Sequence, residues 1–199
     1  MKEKRDELAF QKDKEILSFL QRQEDKEKVS VHYFDESGFS TTSCIPYAWQ
    51  VRGQTKELPK QRSKRLNTLG FLSRTNASFF HTIEGSVKTE HVITAFNEFA
   101  ENYYTEYQQT KVPCIIVLDN ASIHRSKKFI EQMEYWESRA VFLHYLPPYS
   151  PELNLIEILW RKIKYEWLEL TAYQSYEQLK KAVLDILGNI GNKYSITFA

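Results

Sequence analysis

Apolar and polar positions alternate with two periods along this chain, and the period changes mark its elements. "VSVHYFDESGFS", from Val31, reads as a β-rich run that ends on Asp35 and Glu36, with Gly38 as breaker. "YAWQVRG" and "RLNTLGFLSR" predict two more strands, and "ASFFHTIEG" a further short one. In "TEHVITAFNEFAENYYTEY", Val92, Ile93, Phe96, Phe99, Ala100 and Tyr103 fall on one helical face. "VPCIIVLDN" is apolar without alternation, as a strand covered on both faces should be. "SKKFIEQMEYWESR" predicts a helix, "AVFLHYLP" a strand and "PPYSPELN" a rigid turn. "LIEILWRKIKYEWL" is helical, with Ile156, Leu159, Trp160, Ile163 and Trp167 on one side, and "SYEQLKKAVLDIL" is a last helix capped by Ser175. A meander followed by alternating strands and helices implies an α/β fold, a mixed sheet with helices on its faces.

Residues 1–29 differ in texture. They carry eight basic and eight acidic residues and only a partial stripe of Leu8, Phe10, Ile16, Leu17 and Leu20. This predicts a charged helical extension or linker that needs a partner, followed by one domain over 30–199. The 199 residues suffice for a substantial core. No run is long and apolar enough to span a membrane, so none is expected as a partner. Cys44 and Cys114 form no CxxC, which fits a reducing cytosol. The net charge of +1 excludes nothing, but Arg52 to Arg74 holds seven bases and one acid. Such a segment is either a solvated hairpin or a polyanion contact.

Three acids stand at the ends of predicted elements. Asp119 follows a buried strand, at the sheet edge where open α/β folds place their sites. Asp35 closes the first strand, on the face of Val31 and Tyr33, with His32, Phe34 and Glu36 on the other. Glu157 lies in the first turn of a helix, at the margin of its apolar face, with Arg161 and Lys164 following at i+4 and i+7. Each has an ordinary explanation: Asp35 and Asp119 as turn caps, Glu157 in a capping box with Asn154. Together they suggest another. Close carboxylates repel unless a cation lies between them, and all-oxygen ligands suit Mg²⁺ or Mn²⁺.

"YFDESGFS", "IIVLDNASIHRS" and "LPPYSPELNLIEILWRKIK" closely resemble the three catalytic blocks of DDE transposases, nearest to the mariner-like and related bacterial insertion-sequence group. The third block is the most specific, and the 37 residues between Asp119 and Glu157 suit that group. The resemblance implies an RNase H-like (retroviral-integrase-like) fold with a five-stranded mixed sheet and helices on both faces. It implies that Asp35, Asp119 and Glu157 bind two Mg²⁺ or Mn²⁺ ions, with Asp35 bridging. One ion would activate the attacking water or 3′-hydroxyl and the other would stabilise the leaving oxygen. The implied reactions are cleavage at transposon ends and joining of the 3′-hydroxyl to target DNA. Double-stranded DNA is then the partner, within a homodimer or larger assembly, and the setting is the bacterial cytoplasm and its nucleoid.

Arg62, Lys64 and Arg65, in the hairpin region, are candidates for DNA backbone contact, as are Arg125, Lys127, Lys128, Arg161 and Lys164. His124 either contacts the scissile strand or is a satisfied histidine at a helix start. Asn120 orients a ligand or, the better reading, caps the next helix. Trp160 packs. Glu152 is a rival for the third acid. Residues 1–29 hold no pair of helix-turn-helix modules such as full-length members carry. The expectation is a catalytic domain that works with a separately encoded end-binding half. The competing readings are a non-catalytic remnant that regulates transposition, and another RNase H-like nuclease.

Overall fold

A computed structural model describes residues 5–42 and 64–198. The expected "YAWQVRG" strand, Cys44 and Arg62 lie outside the described residues.

The sheet has five strands in the order β3-β2-β1-β4-β5. β1 (Ser30–Ser40), β2 (Arg65–Ser73) and β3 (Ser78–Glu84) form an antiparallel meander. β4 (Cys114–Leu118) then pairs parallel with β1, and β5 (Val141–Tyr145) parallel with β4. Two apolar clusters cover the faces. Phe34, Leu69, Phe71, Ile116 and Leu118 meet Phe96 and Phe99 of α2 (Thr89–Thr110) on one side. Val31, Tyr33, Leu72 and Val117 meet α5 (Ile156–Lys162) and α6 (Tyr176–Gly188) on the other, with Leu17 and Leu20 of α1 (Glu7–Glu24). This is the mixed sheet, covered on both faces, that the alternation implies.

α1 is tied down by polar contacts as well. Asp13 Oδ1 lies 2.7 Å from His144 Nε2 on β5, and Glu24 accepts from Val31 N and from Arg74. Among the described residues no helix is long and apolar enough to cross a membrane.

Two local expectations fail. The segment from Ser126 to Arg139 is not one helix but two, α3 (Lys127–Ile130) and α4 (Met133–Glu137). In a straight helix Phe129 and Trp136 would stand roughly 10 Å apart along the axis. The break, where Gln132 N bonds Phe129 O instead of continuing the α pattern, brings their rings to 4.8 Å, both against Phe96. Burying two large aromatics outweighs helix continuity. β1 does not end at Asp35 either. It continues to Ser40, and Gly38 pairs with Asn67. Gly38 serves a close approach: a Cβ there would meet Arg65 Nε at 2.0 Å, so the Arg65 side chain crosses the strand at this point.

Gly70 marks the second close approach. It pairs with Asp35 across β1 and β2, and a Cβ on it would lie 2.7 Å from Trp160 Cη2 and 3.0 Å from Ile156 Cδ1. Trp160 is 3% exposed and packs among Phe39 and Phe80. The missing side chain on β2 therefore sets how deeply α5 seats. Gly70→Ala should lower the urea midpoint with an unchanged m-value, a loss of about 1–3 kcal/mol, because the overpacked indole has no free space to enter.

Candidate active site

β1 and β4 build the first half of the site. Their parallel register pairs Tyr33 with Val117, and two residues further along each strand come Asp35 and Asp119. β4 ends at Leu118, whereas β1 runs on in its pairing with β2. Asp35 is thus in mid-strand, beside the gap its neighbour leaves, and Asp119 is the first residue of the departing loop. Tyr33 and Asp35 point to the face that carries α5. The turn before α5 brings the third acid, since Ile156 is buried and the next residue, Glu157, emerges at the edge of the same helix.

Asp35, Asp119 and Glu157 line one cavity of about 330 Å³. Its remaining wall is Asn120, Ala121, Asn154 and the turn from Leu146 to Pro151. Glu152 is not part of that wall; it is exposed and accepts from Arg5 at 3.1 Å. Glu36 faces away, into a separate hollow shared with Lys64 and Arg65.

The electrostatics differ from acid to acid. Burial and then the charge of Glu157 push the Asp35 carboxyl up to about 7; the Glu36 N–H opposes them, by more than the charge of Asp119 adds, and the Trp160 indole gives the smallest help. The indole N–H has no partner at hydrogen-bonding geometry, so its help comes from proximity. Burial also raises Glu157, with Lys164 opposing and Asp119 reinforcing. Asp119 goes the other way: the His124 ring, with Nδ1 at 2.9 Å from Oδ1, holds its carboxyl below the usual range. The Ala121 N–H also donates to Asp119 Oδ1, so Asp119 is a turn cap as well as a cavity wall.

Asn154 joins the two halves. Its Nδ2 donates to Phe34 O at 2.9 Å, tying the turn before α5 to the residue preceding Asp35. A carbonyl only accepts, so this bond orients the amide and leaves Oδ1 buried and unpartnered beside the cavity. No capping box with Glu157 forms, because Leu155 is the N-cap of α5 and makes no side-chain cap bond. Asn120 caps nothing either; the short helix Ser122–Arg125 starts at Ala121 without a side-chain cap, and Asn120 faces the cavity.

Among the described residues no three Asp, Glu, His or Cys side chains are gathered tightly enough to wrap one ion. The orphaned Asn154 Oδ1 and the raised Asp35 carboxyl both fit a site designed for a hydrated cation.

The basic candidates separate. Arg161 and Lys164 line a hollow of about 540 Å³ that shares Glu157 and Asn154 with the carboxylate cavity. Arg125 is exposed near Asp119. Lys127 and Lys128 face Glu131 and Glu90, at 3.8 Å and 2.6 Å. Arg65 donates to Asn67, and Lys64 lies over the Tyr176 ring. His124 is buried among Phe34 and Phe129, with its ring turned to Asp119. The sequence reading does not single out Gly70 or Tyr149, and it gives Asn154 only the part of a helix cap. The motif "YSPELN" contains the last two, but nothing in its spelling distinguishes a wall residue from a turn former.

The raised Asp35 carboxyl has a stability consequence. In the unfolded chain it ionises near 3.8, in the metal-free fold near 7, so its contribution to stability falls as pH rises between those values. Without metal, Asp35→Asn should be more stable than the parent at pH 8, by on the order of 2 kcal/mol or more. The gap should close near pH 4. Denaturant titrations in chelator across this range would check it.

The profile of the DDE superfamily endonuclease family matches residues 30–180. Among solved structures, the chain is similar to a pre-cleavage Mos1 transpososome, at 16% identity and TM-score 0.59 over 92% of this chain and 56% of that one. It is similar to the Mos1 mariner paired end complex with Mn, at 16% identity and TM-score 0.57 over 87% and 52%. The catalytic domain of Mos1 mariner transposase matches at 14% identity and TM-score 0.55, over 90% of this chain and 80% of that domain. Nothing among curated proteins matches. The chain spans about half the length of the transposase chains in the assembled complexes. At these identities the structural likeness is one of fold, the RNase H-like fold of that catalytic domain. With the family profile covering most of its length, and a sheet of the same architecture carrying the three acids, the chain belongs to the DDE superfamily endonucleases.

Proposed function

We propose that this chain is the catalytic domain of a metal-dependent DNA transposase, which cleaves phosphodiester bonds at transposon ends and joins the freed 3′-hydroxyl to target DNA. The observation that carries this reading is the convergence of Asp35, Asp119 and Glu157 on one cavity from a strand, a strand end and a helix. Two ions of Mg²⁺ or Mn²⁺ would supply nucleophile activation and leaving-group stabilisation. Support for these metals comes from the Mos1 structures, which include complexes with Mn and with Mg.

The protein's own part is placement. Asp35, Asp119 and Glu157 would hold the ions, and Asp35, which feels the charge of both other acids, would be the shared ligand. His124 holds Asp119 ionised and oriented, a positioning role rather than a phosphate contact. Arg161 and Lys164, in the hollow beyond Glu157, suit the strand backbone as it leaves the cavity. Joining two ends requires two catalytic domains, so the working form would be a homodimer or larger assembly on double-stranded DNA, in the bacterial cytoplasm. Recognition of the end sequence would fall to a helix-turn-helix module outside the described residues.

Asp35→Asn, Asp119→Asn and Glu157→Gln test the reading. Changing residues that only orient metal ligands costs ~10–100-fold, so replacing a ligand should exceed that. Each variant should lose Mg²⁺- and Mn²⁺-dependent nicking of supercoiled DNA while keeping the circular dichroism spectrum of the parent. Undiminished nicking by all three would refute it.

A further inference from the structure

Tyr149 stands in the wall of the carboxylate cavity in a conformation that its own side chain opposes. Its φ is 61°, in the left-handed region where Cβ crowds the backbone and which glycine would occupy freely. Little packing offsets this. The residue is 48% exposed, and among the described residues its ring has no hydrogen-bond, ion-pair or aromatic partner. The backbone around it is nevertheless stiff. Pro147, Pro148 and Pro151 frame the turn, and Ser150 beside it is buried. Strain kept at an exposed residue on the rim of a site points to a task there.

The chemistry of the wall narrows that task. Every ionisable group lining the cavity is acidic, and its lining contains no lysine or arginine. A nucleic-acid strand end entering it finds no ionic attraction from the wall itself. A neutral aromatic face provides attraction of another kind, because any base can stack on it whatever the sequence. Resting on the reading of this cavity as a site of phosphodiester cleavage, we propose that Tyr149 is a stacking platform for an unpaired nucleobase of DNA next to the scissile phosphate.

The test is equilibrium binding of the whole chain, in Ca²⁺, to a DNA duplex with a short 3′ overhang. 2-Aminopurine serves as the first unpaired base, and the matching blunt duplex is the control. The parent should quench the probe. Tyr149→Ala should weaken overhang binding by about fivefold or more, the usual worth of one stacked base, and leave blunt-duplex affinity unchanged. Tyr149→Phe should bind and quench like the parent. Tyr149→Gly should lose overhang affinity yet melt no lower than the parent, since glycine suits this φ; a merely structural role would show the reverse. Three outcomes overturn the proposal: equal overhang binding by the Ala variant, equal losses on blunt and overhang DNA, or a loss in Tyr149→Phe, which would make the hydroxyl a phosphate contact. Stacking and cleavage fail separately, because Asp35→Asn should still quench the probe while losing metal-dependent nicking.

Discussion

The parallel pairing of β1 with β4 is the constraint on which the site depends. Its last pair is Tyr33 with Val117, two residues before Asp35 on β1 and Asp119 just beyond β4, so it brings both acids to one edge of the sheet. Carboxylates so placed repel each other, and Glu157 arriving from α5 adds a third charge. Burial first, and then repulsion from Glu157 and Asp119, push the Asp35 carboxyl up to about 7. The apolar clusters on both faces of the sheet keep the strands from moving apart to relieve that repulsion.

Each acid has its own support. Asp119 is oriented by His124, whose ring is itself wedged between Phe34 and Phe129. Asp35 is backed by Trp160, which reaches the strand only because Gly70 leaves room. Glu157 is placed by α5, and the turn before α5 is tied to β1 by the Asn154–Phe34 bond. These contacts join both faces of the sheet to the cavity, so packing far from it bears on how the three acids are held. The Pro-framed turn carrying Tyr149 closes the remaining side with a neutral wall.

Much of this was legible in the residues. The apolar run Cys114–Leu118 ending on a charge, the stripe of α2 and the face of Ile156, Leu159 and Trp160 all lie where their periods put them. Period-two alternation placed Asp35 on the face of Val31 and Tyr33, opposite Glu36, and phasing with Ile156 put Glu157 at a helix margin. Where local rules failed, a distant partner had intervened. β1 passes Gly38 because β2 pairs with it and Arg65 crosses above it. The helix after Ser126 breaks because Phe129 and Trp136 share one aromatic pocket with Phe96. Asn154 bonds a carbonyl 120 positions away instead of capping its own helix.

The amino-acid sequence by itself therefore determined most of the element types and the faces they bury, and it singled out the three acids that line one cavity, because periodicity and motif spelling are local properties. Only the tertiary structure decided that Asp35 lies within a continuing strand, that His124 serves Asp119, and that Gly70, Asn154 and Tyr149 belong to the site. Those facts depend on register between strands and on which side chains meet across the sheet. Such contacts join residues remote in the chain, and no spacing rule along it encodes them.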